Sequence, residues 1–279
     1  MPMTANESVE VSSYGLTHIG KVREDNQDAV RICDLDDDEL ISAVGYLFGV
    51  ADGMGGFAHG GIASSTALET FFETFYSANG ASPIQKLRVG IQNANLSVYQ
   101  TAQRMSVGRM GTTLLVVNLV GHNLFIGHIG DSRAYLIRNH KSKCLTNDHT
   151  QVGDLVRMRF LSPDKIRTHS QRSVLNKCLG LNLFVQPDIF KVPVQNGDVI
   201  ILCTDGVWSV IEDEEFAHIT KKSYKPEELC RQIIELAMER DSDDNLTIVA
   251  LHFNNLPSHV KIKDKKSWAL QNIIKRFTK

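Results

Sequence analysis

The sequence lacks several features that would place it in well-known classes of protein. No apolar stretch reaches the ~18 residues that a membrane-spanning helix needs. The opening MPMTANESVEVSS is polar and has neither a basic start nor an apolar segment, so we expect no secretory signal. Internal repeats, low-complexity linkers and the loop spacing of an EF-hand are also missing. These absences argue against a membrane-spanning protein and a calcium-binding structural module.

Cysteine is scarce and scattered. The chain has five cysteines, which lie far apart, and none forms a C-x-x-C pair. This pattern argues against a zinc site or a disulfide framework and favours reduced thiols in the core of a cytoplasmic protein.

Charge is nearly balanced but unevenly distributed. The formal net charge of the 279 residues is −2. Residues 255–279 carry seven Lys or Arg and one Asp, hence +6, so the rest of the chain carries −8. A nucleic-acid-binding domain would present a basic face, and we therefore expect no nucleic-acid partner.

Aspartates stand at the ends of short apolar runs. Leu47–Ala51 is followed by Asp52-Gly53, Leu124–Ile129 by Gly130-Asp131, and Val199–Cys203, after one Thr, by Asp205-Gly206; Asp244-Asn245 precedes Leu246–Phe253. Short apolar runs bounded by turn residues are typical of buried strands. Carboxylates that converge at strand ends need a counter-charge, and oxygen-only clusters bind hard divalent cations. The pattern favours a metal-dependent hydrolase.

The order of the predicted elements indicates an α+β fold. Strands come in runs, among them Ala43–Ala51 and a hairpin turning at Gly121-His122. Helices are grouped between the runs, with Ile62–Ser77 followed by a helix over 83–106 that Ser82 caps. Residues 150–186 are predicted to be irregular and partly helical. This grouping favours antiparallel sheets over a doubly wound parallel sheet.

Eight segments along the chain form a recognisable set. They are, in order, GKVREDNQDA (20–29), VADGMGG (50–56), RMGTTLL (109–115), GHIGDSRAYLIRN (127–139), LTNDHT (145–150), RSVLNKCLG (172–180), ILCTDGVWSV (201–210) and SDDNLTIVAL (242–251). Together they resemble the metal-dependent serine/threonine protein phosphatases of the 2C type (the PPM family), in their bacterial form. The resemblance covers about residues 12–253 and implies a four-layer α-β-β-α sandwich of two mainly antiparallel sheets flanked by helices.

The resemblance implies a centre with two metal ions, Mn²⁺ or Mg²⁺. Asp52 matches the ligand that the two ions share, and Asp205 and Asp244 match further ligands of the first ion. The backbone carbonyl of Gly53 matches a ligand of the second ion, and Asp28 an acidic residue beside the site. Two ions about 3.5–4 Å apart can share a water and lower its pKa towards neutrality.

The resemblance also implies a possible third ion and a phosphate-binding residue. Asp131 together with Asp205 would hold the third ion, which bacterial members often show, and Arg23 would bind phosphate. Other interpretations of these two residues stay open. Asp131 could instead anchor its hairpin by bonding backbone or Arg133, and Arg23 could form an ion pair with Glu24 or Asp25.

Two positions depart from the eukaryotic members of the family. Met54 stands where they have a histidine that is often assigned as the general acid, so protonation of the leaving group would come from water. Gln27 stands where they have a glutamate that helps to hold the second ion. Asp148-His149 is predicted to hold a loop by hydrogen bonds rather than to do chemistry.

The predicted function is hydrolysis of phosphoserine and phosphothreonine on proteins. A metal-bridging hydroxide would attack phosphorus in line, and the natural counterpart would be a bacterial Ser/Thr kinase with the same substrates. A non-catalytic phosphatase-like binding module is the alternative, which loss of core aspartates would mark. A regulatory phosphatase that acts on an anti-sigma-factor antagonist would share the chemistry.

The predicted domain organisation is a catalytic domain over 1–254 and a basic amphipathic tail over 255–279. Leu270, Ile273, Ile274 and Phe277 fall on one face of a helix starting near Ser267. Such a tail could pack back on the domain, dock to a partner protein or contact an anionic membrane surface.

Overall fold

The computed structural model describes residues 10–33, 41, 44–54, 59–78, 80–222 and 225–256. In this part of the chain the strands are β1 (Glu10–His18), β2 (Asp28–Arg31), β3 (Tyr46–Asp52), β4 (Leu114–Val120), β5 (Asn123–Ile129), β6 (Arg133–Arg138), β7 (Lys141–Cys144), β8 (Asp188–Pro193), β9 (Val199–Cys203) and β10 (Leu246–Asn255). The helices are α1 (Gly60–Ser77), α2 (Pro83–Met105), α3 (Gln151–Arg157), α4 (Asp205–Trp208), α5 (Asp213–Thr220) and α6 (Pro226–Glu239), with a 3-10 turn at Pro163–Lys165. No helix among these residues is long and apolar enough to cross a membrane.

Two antiparallel sheets form the centre of the molecule. The first sheet has the strand order β1-β10-β9-β6-β7 and the second the order β2-β3-β4-β5-β8. Each sheet has five strands, and the β4–β5 hairpin turns at Gly121-His122 as predicted. The α+β class and the antiparallel pairing predicted from the sequence are confirmed.

The apolar runs are continuous because both faces of each central strand are covered. On β9, Ile200 and Leu202 face the core between the two sheets, whereas Ile201 and Cys203 face a second core beneath α5 and α6. Side chains of β3 and β4 likewise pack against α1 and α2 in a third core. Strands covered on both faces lose the polar alternation of a half-exposed strand. The four layers are α1 and α2, the second sheet, the first sheet, then α5 and α6.

Several predicted boundaries hold and others are wrong for local reasons. Ser82 caps α2 in a reciprocal bond with Gln85, as its position before Pro83 predicts. The strand predicted over Ala43–Ala51 begins instead at Tyr46, because Gly45 has a φ of +81° and its N–H bonds back to the Ile41 carbonyl oxygen. The tail predicted over 255–279 begins too early, because Asn255 still belongs to β10 and Leu256 is buried in the core between the sheets; its residues 257–279 lie outside the described part of the chain.

Three short elements were not predicted. β7 is a polar edge strand (KSKC) and β8 an edge strand that ends in Pro193, so neither carries the apolar run of a central strand. Asp205 was expected in a turn but begins α4, whose four residues are too few for a helical pattern.

Candidate metal centre

The strand ends that carry the predicted aspartates lie at one end of the sandwich. Asp28 at the start of β2 pairs directly with Asp52 at the end of β3. Antiparallel registers place the end of β5, which precedes Asp131, beside the start of β4. The end of β9, before Asp205, lies beside the start of β10, after Asp244. The fold thus brings together the aspartates that are far apart in sequence.

Four of these aspartates, Asp28, Asp52, Asp131 and Asp205, are buried without a basic side chain from the described residues bound to the carboxyl group. Burial, with the neighbouring carboxylates adding to it, raises the pKa of Asp28 to about 7 and that of Asp205 to about 6. The pKa values of Asp52 and Asp131 are raised well above the usual range for the same reasons. Asp205 Oδ1 is buried and has no hydrogen-bond partner among the described groups. Such a set of crowded carboxylates fits a hard divalent cation, which supplies the missing positive charge.

A cavity of about 380 Å³ opens on this cluster. Of the predicted site residues, Arg23, Asp52, Gly53 and Asp244 line it. Asp28, Asp131 and Asp205 do not line the cavity, but the charges of their carboxylates help to raise the pKa of Asp52. The full lining is Val22, Arg23, Glu24, Asp25, Gln27, Asp52, Gly53, Asp244 and Asn245.

Arg23 is bound to one of the predicted ligands. Its Nη2 lies 2.8 Å from Asp244 Oδ2, and its Nε donates to the Asp243 carbonyl oxygen at 3.1 Å. The pairing with Glu24 or Asp25 that the sequence left open is not formed. In the described part of the chain, no three Asp, Glu, His or Cys side chains converge closely enough to enclose an ion as they stand.

The backbone at Gly53 has room for glycine alone. A Cβ at this position would lie 2.2 Å from the Gly60 carbonyl oxygen and 2.6 Å from that of Gln27. Gly53 N donates to the Gln27 oxygen at 3.0 Å, and the neighbouring Asp52 carbonyl oxygen accepts from Thr113 N at 2.9 Å. The close contacts fix the backbone on which the predicted carbonyl ligand lies.

Hydroxyl and amide side chains that the sequence analysis missed hold the acidic segments in place. Thr204 Oγ1 donates to Asp28 Oδ2 at 2.8 Å. Asn245 accepts from Gln27 N at 2.9 Å through Oδ1, while its Nδ2 donates to the Ile19 and Asp25 carbonyl oxygens. The available signal was their position directly beside Asp205 and Asp244. Threonine and asparagine are common in turns, so that signal is weak.

Arg172 is a further cation at the site that the sequence analysis did not single out. Its Nη2 lies 3.9 Å from Asp243 Oδ1, and its charge acts to lower the pKa of Asp205 against the larger effect of burial. The residue belongs to the predicted irregular segment 150–186. Two arginines, Arg23 and Arg172, therefore approach the carboxylates from different segments.

Two other predictions about neighbouring residues are resolved. Arg133 binds Asp148 through two hydrogen bonds, so the interpretation in which Asp131 pairs with Arg133 is wrong. Asp148 and His149 are both buried and hold loops by hydrogen bonds, as predicted.

Comparisons with known proteins show which family the chain resembles in sequence. The family model described as "Protein phosphatase 2C" matches residues 15–240. The serine/threonine phosphatase stp of Listeria monocytogenes is 30% identical over 238 residues, which are 84% of this chain and 92% of that protein.

Solved structures show the same fold. The serine/threonine phosphatase Stp1 of Staphylococcus aureus has a TM-score of 0.81 at 27% identity, covering 91% of this chain and 100% of that one. The catalytic domain of the phosphatase PstP, in complex with two manganese ions, has a TM-score of 0.75 at 26% identity, covering 88% and 99%. With a family match over most of its length and the family's aspartates gathered at one end of the sandwich, the chain belongs to the protein phosphatase 2C family.

Proposed function

We propose that this protein hydrolyses phosphoserine and phosphothreonine on other proteins and that Mn²⁺ or Mg²⁺ is required. The observation that carries the proposal is the group of buried aspartates at one end of the sandwich, whose raised pKa values call for cations. Divalent cations bound there supply a water that ionises near neutral pH and neutralise charge on the phosphoryl oxygens.

The chain's own residues divide the work between holding cations and shaping the cavity. Asp52 would be the ligand common to both cations, Asp205 and Asp244 would complete the first cation site, and the Gly53 carbonyl oxygen would serve the second. Asp28 stands behind Asp52, fixed by Thr204. Asp131 and Asp205, whose carboxylates lie close enough to raise the pKa of Asp131, would hold a third cation.

Arg23 is the residue that orients the phosphate. A cation held by Asp244 would compete with Arg23 for this carboxylate, so the present ion pair would weaken and leave the guanidinium available to a phosphate. The Arg23 side chain is 42% exposed at the cavity wall and is free to turn towards a bound phosphate. Its planar guanidinium binds two phosphate oxygens at once. Arg172, on the neighbouring segment, adds positive charge for a phosphorylated chain.

Protonation of the departing serine or threonine oxygen falls to water. Met54 cannot donate a proton, and no histidine is among the residues that line the described cavity. Gln27 is neutral, and its Oε1 is buried without a hydrogen-bond partner among the described groups. As a neutral amide, Gln27 would hold the second cation less strongly than a carboxylate at this position would.

The remaining parts of the proposal concern the setting of the enzyme. A bacterial Ser/Thr kinase with the same substrates is the natural counterpart in signalling. All five cysteines are free, which fits the reducing cytoplasm. The segment 257–279 is the basic tail, and it docks to a partner or an anionic membrane surface. A non-catalytic binding module is disfavoured because every core aspartate is present.

Turnover of p-nitrophenyl phosphate and of a phosphothreonine peptide tests the proposal. Metal-stripped enzyme is measured before and after addition of Mn²⁺ or Mg²⁺. We expect activity only with added cation and its loss with EDTA. Full activity in EDTA would contradict the metal assignment, and inactivity with every cation would support the binding-module alternative.

A further inference from the structure

Asp131 lies in a closed set of buried contacts that the other predicted ligands lack. Trp208 Nε1 donates to the Asp131 carbonyl oxygen at 2.9 Å. The guanidinium of Arg133 stacks on the Trp208 ring, 3.6 Å from its centroid. Arg133 in turn binds both carboxylate oxygens of Asp148, at 2.9 and 2.7 Å.

His149 closes the set on the other side of Asp131. Its backbone N–H donates to the Gly130 carbonyl oxygen at 2.8 Å, and its Nδ1 accepts from Gly130 N at 3.1 Å. Burial lowers the pKa of His149, which keeps the ring neutral and Nδ1 free to accept. We use the name buried ring for Gly130, Asp131, Arg133, Asp148, His149 and Trp208.

The buried ring leaves the backbone before Asp131 little freedom. Gly130 has a φ of +110°, and a Cβ there would lie 2.5 Å from Thr113 Cβ. Asp131, Trp208 and His149 are 3%, 1% and 1% exposed, so water cannot replace their contacts easily. The direction in which the Asp131 carboxylate leaves the chain is therefore set by contacts on both sides of the residue.

The same ring connects Asp131 to Asp205. Trp208 is the last residue of α4, and Asp205 is the first. The bond from Trp208 to Asp131 consequently links the two elements that carry these aspartates. Their carboxylates repel each other, and a rigid connection opposes their separation.

We propose that the buried ring positions Asp131 relative to Asp205 and thereby sets the affinity of the third cation site. The inference rests on the third site of the proposed function. Arg133, Asp148, His149 and Trp208 are positioning residues, since they act on a ligand and contact neither cation nor substrate. Outer residues of this kind typically contribute 10- to 100-fold to metal affinity.

Two arginines on one strand provide a matched test. Arg133 and Arg138 both lie on β6, and each binds both oxygens of one aspartate; Arg138 binds Asp198, at 2.8 and 2.6 Å. Lysine cannot make the paired contact of arginine. Mn²⁺ binding to metal-stripped full-length protein is measured by titration calorimetry for the wild type, Arg133→Lys and Arg138→Lys.

We expect the weakest class of Mn²⁺ site to lose about tenfold or more in affinity in Arg133→Lys, with the tighter sites unchanged. Arg138→Lys should bind as the wild type does. Equal isotherms for the two variants, or a wild type with only two Mn²⁺ sites, would overturn the inference while leaving the phosphatase assignment intact. A wild type that binds no Mn²⁺ would instead overturn the proposed function.

The tryptophan supplies an independent readout if Arg133→Lys does not fold. The chain has two tryptophans, Trp208 and Trp268, so the indole N–H signal of Trp208 is identified by its loss in Trp208→Phe. In a titration of the wild type with diamagnetic Mg²⁺, this signal should move with the last binding step. Asp131→Asn should abolish that movement. An indole signal that does not respond to Mg²⁺ would contradict the proposal.

Discussion

Two groups of buried aspartates in this protein have opposite surroundings. Asp148 and Asp198 are 5% and 1% exposed, and each is bound by the guanidinium of one arginine. Asp131 is equally buried, at 3% exposure, yet no arginine binds its carboxylate, and the same holds for Asp205 in the described structure. Burial alone therefore does not mark a functional carboxylate. Among these deeply buried aspartates, the presence or absence of a protein counter-charge separates structural residues from candidate metal ligands; Asp244, which is more exposed, is paired with Arg23.

The largest expected effect comes from replacing an aspartate without a counter-charge by asparagine, with the same replacement at an arginine-bound aspartate as the control. Asp205→Asn should lower turnover by more than about 100-fold, because a main element of charge stabilisation is lost with the cation. The stability of the metal-free protein should not fall, since one of several repelling charges is removed. Phosphopeptide turnover and thermal unfolding measure the two effects.

Asp198→Asn is the control, because Asp198 belongs to the group of aspartates that are bound by arginine. It should leave kcat unchanged and reduce stability by about 1–3 kcal/mol, because Arg138 loses its charged partner. Near-normal turnover of Asp205→Asn with saturating Mn²⁺ would place Asp205 with the structural group and break the distinction.

Arg23→Ala should have the next largest effect. Loss of a charge-assisted contact to phosphate should weaken phosphopeptide binding by roughly 1.5–3 kcal/mol, seen mainly as a higher KM. Arg231→Ala is the matched control, because Arg231 forms an exposed ion pair with Glu227 on α6, away from the site. Unchanged KM and kcat in Arg23→Ala would remove this residue from the site.

A smaller effect is expected in the pH dependence of the metal-free protein. With the pKa of Asp28 raised to about 7 and those of Asp52 and Asp131 raised well above their usual range by burial, the folded state binds more protons than the unfolded chain. Stability should thus fall as pH rises from about 6.5 to 8. Burial lowers the pKa of His128 to about 3, so this residue makes stability rise with pH only below its ordinary pKa near 6.5. Between pH 6.5 and 8 it does not offset the effect of the carboxylates.

Calorimetry at pH 6.5 and 8 in EDTA measures this effect. We expect a Tm lower by a few °C at pH 8, a smaller difference in Asp28→Asn, and recovery at pH 8 on adding Mn²⁺. A metal-free protein that is more stable at pH 8 would mean that these carboxylates are not strained by burial.

The smallest effect should follow removal of residues 257–279. Every proposed ligand lies before residue 245, so turnover of a small phosphate ester should stay near the wild-type rate. Flotation of the full-length protein with anionic vesicles at low and high salt checks the membrane interpretation of the tail. Loss of small-ester activity on truncation would make the tail part of the catalytic fold.

The sequence predicted those features that leave a local signal. Runs such as Val199–Cys203 identify central strands because both faces are buried, and Asp-Gly pairs after such runs identify the acidic end. The edge strands β7 and β8 leave no such run, and α4 is too short to show a period. These elements depend on pairing with distant strands, which a single segment cannot reveal.

Side-chain contacts across long separations were also beyond the sequence. Trp208 and Asp131 are 77 positions apart, and Arg23 and Asp244 are 221 apart. The family resemblance identified the aspartates. It did not reveal the ion pair between Arg23 and Asp244 or the contacts that fix Asp131. Such contacts follow from the packing of α4 and β6 in three dimensions.

Anomalous scattering from Mn²⁺-soaked crystals tests the central claim most directly. The account predicts two Mn²⁺ peaks about 3.5–4 Å apart that share an oxygen of Asp52, with Asp205 and Asp244 as further ligands and Arg23 released from Asp244. Crystals soaked in saturating Mn²⁺ that show no peak at these aspartates, with Arg23 still bound to Asp244, would contradict it.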